Sequence, residues 1–202
     1  MTMQDSRGRV NQRRRTYNAI LEAAAELMRA GRAVTMPEVA RLTPVSEATA
    51  YRHFPDLATL LQEAMARQQP APIEALAHVS GSTDVVERVT AACEYLLRHV
   101  LTFQKAVRAT IAATIVDPDE AATARPGMRF DLIDFALAPA EESAGVSITE
   151  LAQLKRDLAV VMGAEALFCL LDQCGVPPEE AIASIVHTTT MLTRATLEKL
   201  ER

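Results

Sequence analysis

Between Val34 and Phe54 the chain has room for two helices, each too short to be stable alone. Thr35 is placed to cap the first. Glu38 stands three residues on to close a capping box, and Met36, Val39 and Ala40 supply one apolar side. Pro44 cannot continue that helix and biases Thr43 away from helical geometry, so Thr43-Pro44-Val45 is a break. Ser46 caps the second helix, with Val45 and Ala50 spaced as a hydrophobic staple and Phe54 facing inward. Two such helices persist only if longer neighbours brace them.

The neighbours are present. Tyr17, Ile20, Leu21, Ala24, Leu27 and Met28 form one face of a preceding helix that Gly31 ends. Asp56 caps a following helix with the stripe Leu57, Leu60, Leu61, Ala64 and Met65. Pro70, Pro72 and the run Ser80-Gly81-Ser82-Thr83 mark a connection in which any helix is short. Beyond it the pattern predicts helices near 84–101, 103–116, 128–143, 148–173 and 178–200. Asp117-Pro118, Ala144-Gly145 and Gly175-Val176-Pro177-Pro178 punctuate them. Aromatics make up 4% of the residues, Trp is absent, and no stretch alternates as a strand would. The expected fold is all-α with about nine helices. Its expected divisions are a basic N-terminal arm (1–15), a helix-turn-helix domain (16–68), a connection (69–83) and a larger helical domain (84–202).

Charge is distributed unevenly. The net charge is −5, yet residues 1–68 hold 10 Lys or Arg against 7 Asp or Glu, while the remainder is acidic. A basic end on an acidic protein suits a polyanion at that end alone. No apolar run is long enough to cross a bilayer, and the N-terminal arginines lead into no signal-type core, so a cytoplasmic location and no membrane partner are expected. Cys93, Cys169 and Cys174 lack metal or redox spacing, and the four histidines are scattered. Neither a metal nor another cofactor is expected. No nucleophile–base pair or Gly-rich phosphate loop suggests an enzyme.

A short helix enters a DNA major groove when a second helix braces it and its outward residues carry hydrogen-bonding groups. In the helix after Ser46, the residues Glu47, Ala48, Thr49, Tyr51, Arg52 and His53 are free for that. A capped surface helix in an ordinary bundle would share the spacing. The runs Ile20-Leu21-Glu22-Ala23-Ala24, Val34-Thr35-Met36-Pro37-Glu38-Val39-Ala40 and Val45-Ser46-Glu47-Ala48-Thr49-Ala50-Tyr51-Arg52-His53-Phe54 resemble the signature of the tetracycline-repressor (TetR) family. The resemblance spans roughly residues 16–66.

It implies a DNA-binding transcriptional regulator that binds double-stranded operator DNA as a homodimer. The regulator is a repressor released by a small molecule, or an activator of the same fold; a helical enzyme or binding protein retaining the domain is the alternative from another class. It also implies that Thr35 caps its helix and touches phosphate and that Thr49, Tyr51 and His53 contact the backbone, and Ser46, the cap of their helix, is expected at the DNA with them. Glu47, Ala48 and Arg52 fall at the positions that read bases. Arg13, Arg14 and Arg15 match a basic arm laid on phosphates or into the minor groove. Pro44 replaces the usual turn Gly, and Leu57 replaces a usual Lys that reaches phosphate.

For the larger domain, Leu158 to Leu171 is apolar on nearly every face except at Glu165, so both sides of that helix must be covered. The expected dimer seam is Val161, Glu165, Phe168, Leu171, Ile185, His187 and Leu192. Glu165 either pairs across the dimer interface, with His187 or Arg194, or faces a cationic ligand, because an unpaired carboxylate there is costly. Leu96, Phe103, Val107, Ile111, Met128, Leu132, Phe135 and Met162, with Glu165, are the candidate lining of an effector pocket. With so few polar groups among them, the expected effector is largely apolar.

Overall fold

Helix capping and apolar periodicity account for most of the chain. The computed structural model describes residues 3–116, 127–142 and 147–200, all helix, turn or coil with no strand among them. The breaks expected at Asp117-Pro118 and Ala144-Gly145 lie outside the described residues. The helices are α1 (Met3–Arg29), α2 (Met36–Leu42), α3 (Glu47–His53), α4 (Leu57–Ala66), α5 (Pro72–Ala75), α6 (Val85–Thr102), α7 (Gln104–Val116), α8 (Met128–Glu142), α9 (Ile148–Val161), α10 (Ala164–Phe168) and α11 (Pro178–Leu200). A 3₁₀ turn spans Ala77–Val79 and a π-turn Cys169–Gln173.

Two compact units emerge. The first takes in α1–α4 and also α7; the second holds α5, α6 and α8–α11. The division therefore differs from the sequence expectation, in which 103–116 sits with the C-terminal helices. In the first unit Ile20, Leu21, Leu27, Ala50, Phe54, Leu60 and Leu61 are at most 1% exposed, and Phe103, Ala106 and Val107 of α7 and the turn before it join the same core. Gly31 ends α1 at φ +63°, where Arg32 N–H donates to the Leu27 carbonyl at 2.9 Å in a Schellman arrangement.

Three expectations need correction. Residues 3–15 are no separate arm, because α1 begins at Met3. Helix propagates cheaply once nucleated, and Arg and Gln are good formers, so a polar stretch extends an amphipathic helix without an apolar face of its own. The capping box at Thr35 is half made. The Thr35 hydroxyl accepts from Glu38 N–H at 3.3 Å, but the Glu38 carboxylate turns to Arg32 and Arg41 at 2.6 and 2.8 Å. Last, the helix expected over 148–173 breaks at Met162-Gly163, where Gly163 is extended. A Cβ on Gly163 would fall 2.6 Å from Arg129 Nη2 and 2.7 Å from Glu165 Oε2. The backbone there leaves room for an ion pair crossing it.

In the second unit α9 packs on α8 and α11, and α6 meets α11 through the Thr90–Thr190 hydroxyl pair at 3.0 Å. Pro139 lies inside α8, and its missing N–H deprives the Phe135 carbonyl of its helical donor. Arg88 of α6 supplies the replacement. This 4%-exposed guanidinium donates to Phe135 O at 2.5 Å and to Ala136 O, and on its other side to the carbonyls of Val79, Ser80 and Ser82. It also lies 4.5 Å over the Phe135 ring.

Cys93 is fully buried on α6 against the Thr189 hydroxyl, and burial pushes its thiol up to about 11. Cys169 and Cys174 are exposed. Since the thiolate is the reactive form, Cys93 should stay unlabelled by a thiol reagent in the native protein and label only in denaturant. Peptide mapping after timed alkylation checks this; labelling of Cys93 as fast as of Cys169 would contradict the packing.

Candidate nucleic-acid interface

The local chemistry of α3 begins at its cap. The Ser46 hydroxyl accepts from Thr49 N–H and lies 3.0 Å from the Thr49 hydroxyl, which fixes the first turn. Pro44 sits in the turn before it at negative φ, since only Gly31 and Gly175 have positive φ among the described residues. Ala50 and Phe54 are both 0% exposed, and Val45 packs on the same core. That leaves Glu47, Ala48, Tyr51 and Arg52 exposed, with Thr49 and His53 half-buried. Thr35, at the start of α2, is exposed too.

What aims α3 is the aromatic contact behind it. The Tyr17 ring of α1 stacks on Phe54 at 4.9 Å and tilts against His53 at 6.3 Å. The Tyr17 hydroxyl donates to the Glu63 carboxylate of α4, and the Arg67 guanidinium lies 5.7 Å from the Tyr17 ring. A seven-residue helix is thereby fixed to two longer ones. Asp56 caps α4, accepting from Thr59 N–H at 2.7 Å and its hydroxyl at 2.9 Å.

Arg13, Arg14 and Arg15 are exposed on the N-terminal half of α1. Gln12, Arg13 and Thr16 face Thr49, Arg52 and His53 across a groove of about 410 Å³. The resemblance puts Arg13 on an arm and Arg52 at a base-reading position, whereas the structure brings the two to one groove. The signal was available: Arg13, Thr16 and Ile20 continue one helical face toward the core. Burial first, then the Arg13 and Arg52 charges, hold the His53 imidazole below its ordinary pKa.

Leu57 opens α4 half-buried, packed against the core of its unit. Leu57→Lys should therefore cost about 1 kcal/mol of stability through lost apolar burial and leave the salt dependence of DNA binding unchanged. A thermal melt and a salt titration on that variant check it; a steeper salt slope at an unchanged melting temperature would place Leu57 against phosphate instead.

The residues expected to line an effector pocket fall into both units. Phe103, Val107 and Ile111 are half-buried in the first, where Phe103 and Val107 pack on its core. Leu96, Met128, Leu132 and Met162 are buried in the second, and Phe135 lies beneath Arg88. A separate cleft of about 270 Å³, lined by Ala140, Glu141, Ile148, Leu151, Ala152 and Lys155, contains none of them. Glu165 is paired within the chain, to Arg129 at 2.5 Å rather than to His187 or Arg194. Of the expected seam, Phe168 and Ile185 are 8% and 4% exposed and so belong to the unit's own core. Val161, Leu171 and Leu192 are half-buried, and Glu165 and His187 exposed. Among the described residues no cluster of three or more His, Cys, Asp or Glu could hold a metal ion. No described helix is long and apolar enough to cross a membrane.

The family model for bacterial regulatory proteins of the tetR family matches residues 20–64. A solved TetR transcriptional regulator from Rhodococcus sp. RHA1 shares the fold, with a TM-score of 0.56 at 23% identity over 89% of this chain and 96% of that one. No curated protein matches the chain. The matched residues run from the core face of α1 through the capped pair α2 and α3 into α4, which is the part built to present α3 outward. Residues 20–64 are thus similar to the N-terminal domain of bacterial regulatory proteins of the tetR family, and the chain as a whole has the fold of one such solved regulator.

Proposed function

We propose that this regulator binds a palindromic operator as a homodimer, represses from it, and leaves it when the second unit binds a largely apolar small molecule. The observation that carries the reading is α3 itself: a capped helix whose inner residues are fully buried and whose outer residues are free. Glu47 and Ala48, at its exposed start, are the residues proposed to reach base edges. Thr35, Ser46, Thr49, Tyr51 and His53 supply donors for the backbone, and Arg14 and Arg15 add charge beside it.

One half-site seldom provides enough affinity, so a dimer fits the function. Exposed apolar groups on α9 and α11, Val160 at 79% and Met191 at 51%, lie next to the half-buried Val161 and Leu192 and supply a surface for a second copy. Effector release requires tighter binding to the DNA-incompetent state, since equal affinity for both states shifts nothing.

The test is a fluorescence anisotropy titration on fragments flanking the gene, repeated with each compound that stabilises the protein. An effector should weaken operator binding, and operator should weaken effector binding by the same factor. Compounds that all raise the melting temperature yet leave operator affinity unchanged would contradict the release mechanism.

A further inference from the structure

Two arginines from different helices face one hollow. α1 carries Gln12, Arg13 and Thr16 along one wall and α3 carries Thr49, Arg52 and His53 along the other. The Tyr17 ring, one turn further along α1 from Arg13, stacks at 4.9 Å on Phe54, the residue that caps the end of α3, and so ties the two walls together. Both guanidinium groups are exposed, and neither has a carboxylate partner among the described residues. Unneutralised like charges repel, and an anion between them relieves the repulsion. The rest of the lining offers two hydroxyls, an amide and an imidazole, all able to donate to an anionic oxygen.

Shape selects the occupant. Base edges lie on the floor of a DNA groove and are reached by side chains on the outer face of a helix. The sugar–phosphate strand is a ridge, and a ridge is what enters a cleft between two helices. Glu47 and Ala48 sit on the exposed first turn of α3, whereas Arg52 lines the cleft.

We propose that this groove seats one DNA backbone phosphate, gripped by Arg13 from α1 and Arg52 from α3, so that Arg52 contributes affinity and not base choice. The site rests on the DNA-binding reading and adds to it a role for the continuous α1, which carries Arg13 on a rigid helix and not on a flexible arm. A phosphate held from two sides also makes the two arginines interdependent. Removing either one leaves the seat half-built, and removing the second then costs little more.

The experiment uses the full chain and a random-sequence 30-base-pair duplex, with wild type, Arg13→Ala, Arg52→Ala and the double variant titrated across a range of salt. Both side chains are exposed, so the variants should keep the wild-type helical signal and melting temperature. Each single variant should weaken random-duplex binding on the order of tenfold. The log–log salt slope should fall by about 0.9 for each phosphate that is no longer neutralised, thus about 1.8 per dimer. The double variant should fall well short of the product of the two single losses. Arg52→Ala binding random DNA as wild type does, with loss only on a preferred sequence, would return Arg52 to base readout and overturn the proposal. Independent, multiplying losses would put the arginines on separate phosphates and overturn it equally. A wild-type protein that binds no duplex would overturn the DNA-binding reading itself, a distinct result.

Discussion

Arg88→Leu should destabilise the protein by about 3–5 kcal/mol, the range for removing a hydrogen-bonded charge from a buried network. The guanidinium has no carboxylate partner among the described residues; carbonyl groups surround it. Its removal leaves the Phe135 carbonyl without a donor, because Pro139 four residues on has no N–H to give. It also frees the turn around Val79 to Ser82 from α8. The diagnostic is a double-mutant cycle in urea denaturation. Pro139→Ala restores an N–H opposite Phe135, so it should recover about 1 kcal/mol or more in the Arg88→Leu background and add less in wild type. Equal effects in both backgrounds would show that Arg88 and Pro139 are not coupled.

Phe54→Ala is the second large effect. The ring is 0% exposed and stacked on Tyr17, so truncation should cost about 3–5 kcal/mol. The functional consequence is larger than the stability loss suggests. α3 has seven residues and depends on this contact and on Ala50 for its angle. Loosening it should abolish preference for a particular sequence while the charged surface of α1 still gives weak, salt-sensitive binding. Phe54→Leu, which keeps most of the volume, should lose far less of both. Paired denaturation and binding curves check this; full sequence preference in folded Phe54→Ala would mean that α3 is held by something else.

How much of this could be read from the residues follows from the range of the interactions. Caps act over three residues, so Thr35, Ser46 and Asp56 were legible, and so were the inward Ala50 and Phe54. The N-terminal half of α1 was not, because Val10 to Arg15 are all exposed. A helix with no buried face writes no apolar period into its sequence. The break at Gly163 was hidden for the opposite reason. Its neighbours are largely apolar, and the ion pair that passes the extended Gly163 joins Arg129 and Glu165, 36 positions apart. Arg88 and Phe135 are likewise 47 positions apart, and nothing local joins them. The shared groove of Arg13 and Arg52 was legible only in part, since Arg13 continues the face of Thr16 and Ile20 but nothing local sets that face beside α3.

The claim at the centre of the account is that α3 reads a particular DNA sequence, twice, in a symmetric dimer. Selection of bound duplexes from a random pool at near-physiological salt, followed by sequencing, tests it directly. The account predicts an enriched inverted repeat whose half-site centres lie about one helical turn apart, about 34 Å, or slightly more. A pool that stays random after repeated rounds, from protein that is folded and dimeric, would contradict it.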